Sequence, residues 1–195
     1  MFVSLVFSSK TITPSVSEET MTTEPNQQEN PLLKFSTLPY GAVPFDLVKN
    51  EHFLVAVDSA IAEAREKIAK IKSEAQPSFV NTIEALETAS DKLGYVSAIF
   101  YNLFSAETND TLQSLAKEIG PKTSAFSNDI LLDHDLFQRI HQVYETRQSL
   151  NLKGEQAKLL EKTYRDFVRN GALLNTEQKD RLRAIDEETA KLGPV

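Results

Sequence analysis

From Glu51 onward, apolar residues recur every three or four positions with charged residues between them, the spacing of helices that each bury one stripe. The first predicted helix runs from about Glu51 to Glu74 and carries Leu54, Val57, Ile61, Ala64, Ile68 and Ile71. The second runs from about Phe79 to Ser105, with Phe79, Ile83, Leu86, Leu93, Phe100, Leu103 and Phe104 in register. Tyr95, Ile99 and Tyr101 widen its stripe, which predicts a central helix, and Asn81 with Glu84 has capping-box spacing inside it. The third starts near Asn109 and uses Leu112, Leu115 and Ile119; Gly120-Pro121 then predicts a kink or break before Phe126 and Ile130. The fourth opens on Asp133 as N-cap and carries Leu136, Phe137, Ile140, Val143 and Tyr144. The fifth carries Leu159, Leu160, Tyr164, Phe167 and Val168, and Asn170-Gly171 predicts a left-handed C-cap. The sixth carries Leu182, Ile185 and Leu192 before Gly193-Pro194 stops it.

Ahead of the helices, Pro31-Leu32-Leu33, Leu38-Pro39-Tyr40-Gly41 and Pro44 predict an extended, turn-containing strap that packs along them. Ser8 to Glu29 is rich in Ser, Thr, Glu, Gln and Pro, a composition that buries too little apolar area to offset its ordering entropy. Residues 1–29 are therefore expected to be a disordered tail, within which Met21 is an alternative start. Phe2-Val3-Ser4-Leu5-Val6-Phe7 is apolar, but no basic residue precedes it and no clear cleavage pattern follows, so it is not read as a secretory signal. No segment alternates with period two, and no unit repeats at a fixed spacing. The expected fold class is all-α: an irregular bundle of about six helices over residues 30–195, preceded by the tail and the strap.

Composition narrows the chemistry. A hydrophobic share of 41% is enough for a real core, and a formal net charge of -7 disfavours nucleic acid as a partner. Cysteine is absent, which removes disulfides, thiolate zinc sites and thiol nucleophiles from consideration. No apolar run approaches the roughly 20 residues of a membrane span, so no membrane partner is expected.

The three histidines, His52, His134 and His141, form no H-E-x-x-H motif. His134 and His141 are two turns apart, a rise of about 10 Å, so one straight helix cannot bring both to one zinc ion. All three are read as surface or partly buried residues with satisfied hydrogen bonds. The acidic pairs Glu18-Glu19 and Glu187-Glu188 sit in flexible or charged sequence, no serine lies in a G-x-S-x-G elbow, and six glycines form no phosphate-binding loop. Lys179-Asp180-Arg181-Leu182-Arg183 is read as a salt-bridged helix face. Phe100, Tyr101 and Phe104 line a peptide groove or pack in the core, and helical spacing favours the core. No catalytic, cofactor-binding or metal-binding residue is assigned.

Several segments in order carry a resemblance. They are Asn30-Pro31-Leu32-Leu33, Ser36-Thr37-Leu38-Pro39-Tyr40, Pro44-Phe45-Asp46 and Pro77-Ser78-Phe79-Val80-Asn81-Thr82-Ile83, the last close to a P-T-F-E-N-T pattern. Ile130-Leu131, Leu136-Phe137, Leu159-Leu160-Glu161, Tyr164-Arg165-Asp166-Phe167-Val168 and Gly171-Ala172 follow. Together, from Asn30 to Val195, they resemble the N-terminal part of the thimet-oligopeptidase-like zinc metallopeptidases, most closely the bacterial peptidyl-dipeptidases, also called dipeptidyl carboxypeptidases. Val55 departs from the family's proline at a helix start. The resemblance implies a helical lobe that faces a catalytic lobe across a channel admitting short peptides. It also implies that zinc and its H-E-x-x-H helix belong to the full-length enzyme, with the catalytic lobe absent from this chain. The expected partners are short peptides and that lobe, and the expected compartment is the cytoplasm, with the periplasm as alternative. The competing reading is a free-standing helical module that binds peptides or proteins without chemistry.

Overall fold

The computed structural model describes residues 30–192. The expected tail over 1–29 and the Gly193-Pro194 stop lie outside the described residues. Among the described residues there are six long helices, one short one and no strand, as an all-α bundle requires. They are α1 (Asn50–Ser73), α2 (Ala85–Glu87), α3 (Asp91–Ala106), α4 (Asp110–Leu131), α5 (His134–Glu145), α6 (Gly154–Arg169) and α7 (Thr176–Leu192).

Helix α1 packs against α3, α4 and α5, and its stripe of Val57, Ile61, Ala64, Ile68 and Ile71 is buried together with Phe53, Ala56 and Ala60. Phe53 meets Phe100 of α3 edge to face, with ring centroids 5.2 Å apart. Val55, the departure from the family pattern, is exposed on the opposite face of α1.

The single helix expected over Phe79–Ser105 is divided. A π-helical turn, Phe79–Glu84, leads into α2, and the chain turns at Thr88, Ala89 and Ser90 before α3 begins. A straight helix would place Leu93 about 80° around the axis from Ile83. The π turn and the bend change the register, and both residues are buried in the same core. The capping box also lies three residues earlier than expected. The Ser78 N–H donates to Asn81 Oδ1 at 2.8 Å and the Asn81 N–H to Ser78 Oγ at 3.1 Å.

Helix α4 runs through Pro121 without a break. Proline removes the donor that would reach the Lys117 carbonyl, yet Ala116, Ile119 and Phe126 on either side are buried, and packing holds the helix together across the defect. Asp133 caps α5 as expected, accepting from the Leu136 N–H at 2.9 Å and pairing with Lys72 Nζ at 2.6 Å. Helices α5 and α6 are joined by an aromatic stack in which the Tyr144 and Tyr164 rings lie 3.9 Å apart and nearly parallel.

Gly171 ends α6 at φ 99°, with the Ala172 N–H returning to the Phe167 carbonyl and the Gly171 N–H to the Val168 carbonyl. An added Cβ there would also meet Leu132, Leu174 and Leu182 at 3.0–3.1 Å, so packing and backbone conformation both require glycine. Helix α7 opens on reciprocal bonds between Asn175 and Gln178 and returns along α4. Its expected stripe is corrected: Ile185 and Leu192 are exposed, while Lys179, Leu182, Arg183, Asp186 and Ala190, spaced three or four apart, form the more buried face.

Candidate peptide-binding groove

The C-terminal end of α3, the middle of α4 and the C-terminal end of α7 meet around a groove lined by Tyr101, Phe104, Ser105, Gly120, Thr123, Ser124 and Ala190. Close helix contact forms its floor, because a Cβ on Gly120 would stand 3.3 Å from the Ala190 carbonyl oxygen. Phe100 anchors the wall: it is fully buried and touches Phe53, Tyr101 and Phe104. The aromatic stripe therefore splits, with Phe100 in the core, Phe104 half-buried and Tyr101 exposed. Partial burial pushes the Tyr101 phenol up from its ordinary value, so near neutral pH it is an uncharged hydrogen-bond donor. The Thr123 hydroxyl is already committed to the Ile119 and Gly120 carbonyls at 3.0 and 2.9 Å.

None of the lining residues is charged, and the groove offers contact and hydrogen bonding rather than acid, base or nucleophile. Of the three aromatic residues that the sequence offers as groove candidates, Tyr101 and Phe104 line it and Phe100 lies in the core behind it. The α4 and α7 members are not among those candidates, because the approach of those two helices depends on long-range packing. Gly120 beside Pro121 was the one local signal, and it marked a weak point in a helix rather than a helix contact.

The histidines are held apart from this groove by their own roles. His52 is buried; its Nδ1 accepts from the Lys49 N–H at 3.1 Å and its carbonyl accepts from Asn30 Nδ2 at 2.9 Å, so it secures the start of α1 and the strap. His134 is exposed at the first turn of α5. His141 stacks on Phe137 and Tyr164, and its buried Nδ1 has no hydrogen-bond partner, with Glu145 Oε1 4.0 Å away. That corrects the expectation of satisfied hydrogen bonds at this position. Among the described residues no group of three or more His, Asp or Glu is placed to hold a metal ion. With His52 bonded through Nδ1 and His141 packed against the Phe137 and Tyr164 rings with its Nδ1 buried, these residues do not fit a zinc site. The basic cluster is also corrected in part: Arg183 pairs with Asp180 at 3.8 Å, but Lys179 is buried and donates to the Leu132 carbonyl at 3.0 Å, closing the end of α4. Among the described residues no helix is long and apolar enough to cross a membrane.

A family model described as "Neurolysin/Thimet oligopeptidase, N-terminal domain" matches residues 57–179, from the first turns of α1 to the first turn of α7. The chain belongs to this oligopeptidase family. Within it, the chain is 39% identical over 164 residues to a dipeptidyl carboxypeptidase of Salmonella typhimurium and 38% identical over 164 residues to one of Escherichia coli. It is 27% identical over 165 residues to oligopeptidase A of Salmonella typhimurium. Each match covers 84% of this chain and 24% of the relative, so the chain spans about a quarter of the length of these family members. The Ser78–Asn81 capping box and buried Phe79, Thr82 and Ile83 lie inside the matched domain and account physically for the Pro77-to-Ile83 motif.

Proposed function

We propose that this chain is the N-terminal, channel-forming portion of a zinc metallopeptidase that removes C-terminal dipeptides from short peptides, and that it does not cleave peptides by itself. The observation that carries this reading is the match to two dipeptidyl carboxypeptidases over 84% of the chain but only 24% of their length. Membership of a peptidase family supports short peptides as the substrate class. The absence of an H-E-x-x-H motif from the sequence supports assigning zinc and the hydrolytic step to a catalytic lobe outside these residues.

In this reading the groove at Tyr101 is part of the channel wall. Its uncharged lining takes an apolar side chain of the incoming peptide against Phe104, and the phenol of Tyr101 donates to a peptide carbonyl. Such contacts hold substrate without distinguishing the transition state, so they act on KM. In the full-length enzyme Tyr101→Ala is expected to raise KM for short peptides about fivefold, the equivalent of roughly 1 kcal/mol of aromatic contact, with kcat little changed. Steady-state kinetics on a peptide with an apolar residue near its C-terminus tests this, and an unchanged KM contradicts a role for the groove.

A further inference from the structure

The strap between Asn30 and α1 buries only part of its apolar content, with Leu33 partly buried against the core. Leu32 is fully buried, Val43 and Val48 lean on the core, and Phe35 touches the Tyr95 ring at 5.2 Å. Phe35, Leu38, Tyr40, Phe45 and Leu47 are nonetheless exposed, five large apolar side chains within 13 residues whose only charge is Asp46. Tyr40 is the extreme case, with its whole side chain in solvent and its backbone left-handed at φ 60°. Isolated exposed apolar residues are ordinary, but a run of this density marks a surface made to be covered.

The segment is also fixed in shape. Ser36 Oγ donates to the Ala42 carbonyl at 2.5 Å and accepts from the Leu38 N–H at 3.2 Å, while the Gly41 N–H reaches the Leu38 carbonyl at 2.9 Å. A second turn is closed by the Leu47 N–H on the Pro44 carbonyl at 2.9 Å. The strap is held from behind and presents its apolar side chains in a set arrangement, which lowers the entropic cost of docking.

We propose that residues 35–47 are the seat on which the catalytic lobe of the same polypeptide docks, an apolar pocket of that lobe covering Tyr40, Leu38 and Phe45. This rests on the reading of the chain as one portion of a longer peptidase. Two observations favour that occupant. The relatives are about four times as long as the matched segment, so most of a polypeptide of their length lies outside it. A 164-residue match placed anywhere in 195 residues includes residues 32–164, so the strap lies within the similarity to dipeptidyl carboxypeptidases and is not an appendage peculiar to this chain. With one charge among its residues, the strap calls for an apolar partner surface rather than an acidic or basic one.

Hydroxyl-radical labelling read by mass spectrometry, applied to the 195-residue chain and to the full-length enzyme, tests the proposal. Phe53 and Phe100 serve as buried controls of folding. The expected result is rapid labelling of Phe35, Tyr40 and Phe45 in the 195-residue chain and labelling about fivefold slower or more in the full-length enzyme. Tyr40→Ser is expected to leave the thermal midpoint of the 195-residue chain unchanged and to lower that of the full-length enzyme. A full-length enzyme that releases dipeptides while its strap labels as fast as before overturns the docking site and leaves the functional reading intact. Absence of peptidase activity from the full-length polypeptide overturns the functional reading instead. Concentration-dependent protection of the strap in the 195-residue chain, with a dimer mass, assigns the surface to a second copy and overturns the proposal.

Discussion

Gly171 shows how much one residue can decide here. Its φ of 99° suits glycine, and three leucine side chains occupy the space a Cβ would need. Gly171→Ala is expected to destabilise the chain by about 2 kcal/mol or more, combining left-handed strain with overpacking, as read by urea denaturation. Wild-type stability in that variant would show that the leucines at the α6–α7 corner give way to a methyl group without cost. Glu63 supplies the pH-dependent counterpart. Hydrogen bonds from Lys67 and Lys92 hold its carboxyl below the usual carboxylate range. Because its folded pKa is lowered, its contribution is present above the usual value of about 4.3 and is lost as pH falls through the folded value. The stability difference between wild type and Glu63→Gln is therefore expected to be small, as for exposed ion pairs, and to vanish on acidification. A difference that persists at low pH would assign it to packing. Both the Asp133 cap and the Gly171 turn were legible in the sequence because each depends on its immediate neighbours. The sequence points to Asn81 as the cap and the structure has Ser78, three residues earlier, because asparagine serves equally well as a cap and as a capping partner.

At the level of elements, proline inside α4 is the test of what holds a helix. Tertiary contacts with α1 and α7 keep the helix continuous although Pro121 lacks a donor. Pro121→Ala restores the N–H that can reach the Lys117 carbonyl and is expected to stabilise the chain by about 1–3 kcal/mol, measured by the midpoint of denaturant unfolding. A loss of stability would mean that the proline ring itself packs usefully where it stands, beside Lys122 and Asn128 in a surface pocket separate from the Tyr101 groove. Five of the six expected apolar stripes have their main large side chains buried or leaning on the core. The sixth does not, because α7 lies along α4 through a face bearing Lys179, Arg183 and Asp186, whose long or polar side chains conceal contact from a reading by hydrophobicity. The division of the second helix was equally hidden, since Thr88-Ala89-Ser90 contains neither glycine nor proline.

For the whole molecule, the helical class and the family resemblance followed from ordered local motifs, whereas the groove and the uncovered strap did not. Which apolar residues stay exposed depends on what surrounds them in the complete protein, and a short-range pattern carries no such information. Under the proposed function this chain is a structural and substrate-admitting portion, with hydrolysis supplied by residues outside it. The most direct test incubates the purified 195-residue chain with zinc and a short peptide bearing a free C-terminus, beside the same peptide amidated, and follows dipeptide release with and without a chelator. No release above background, and no zinc retained after dialysis, is the predicted result. Chelator-sensitive release from the free peptide, with stoichiometric zinc held by the chain, would contradict it.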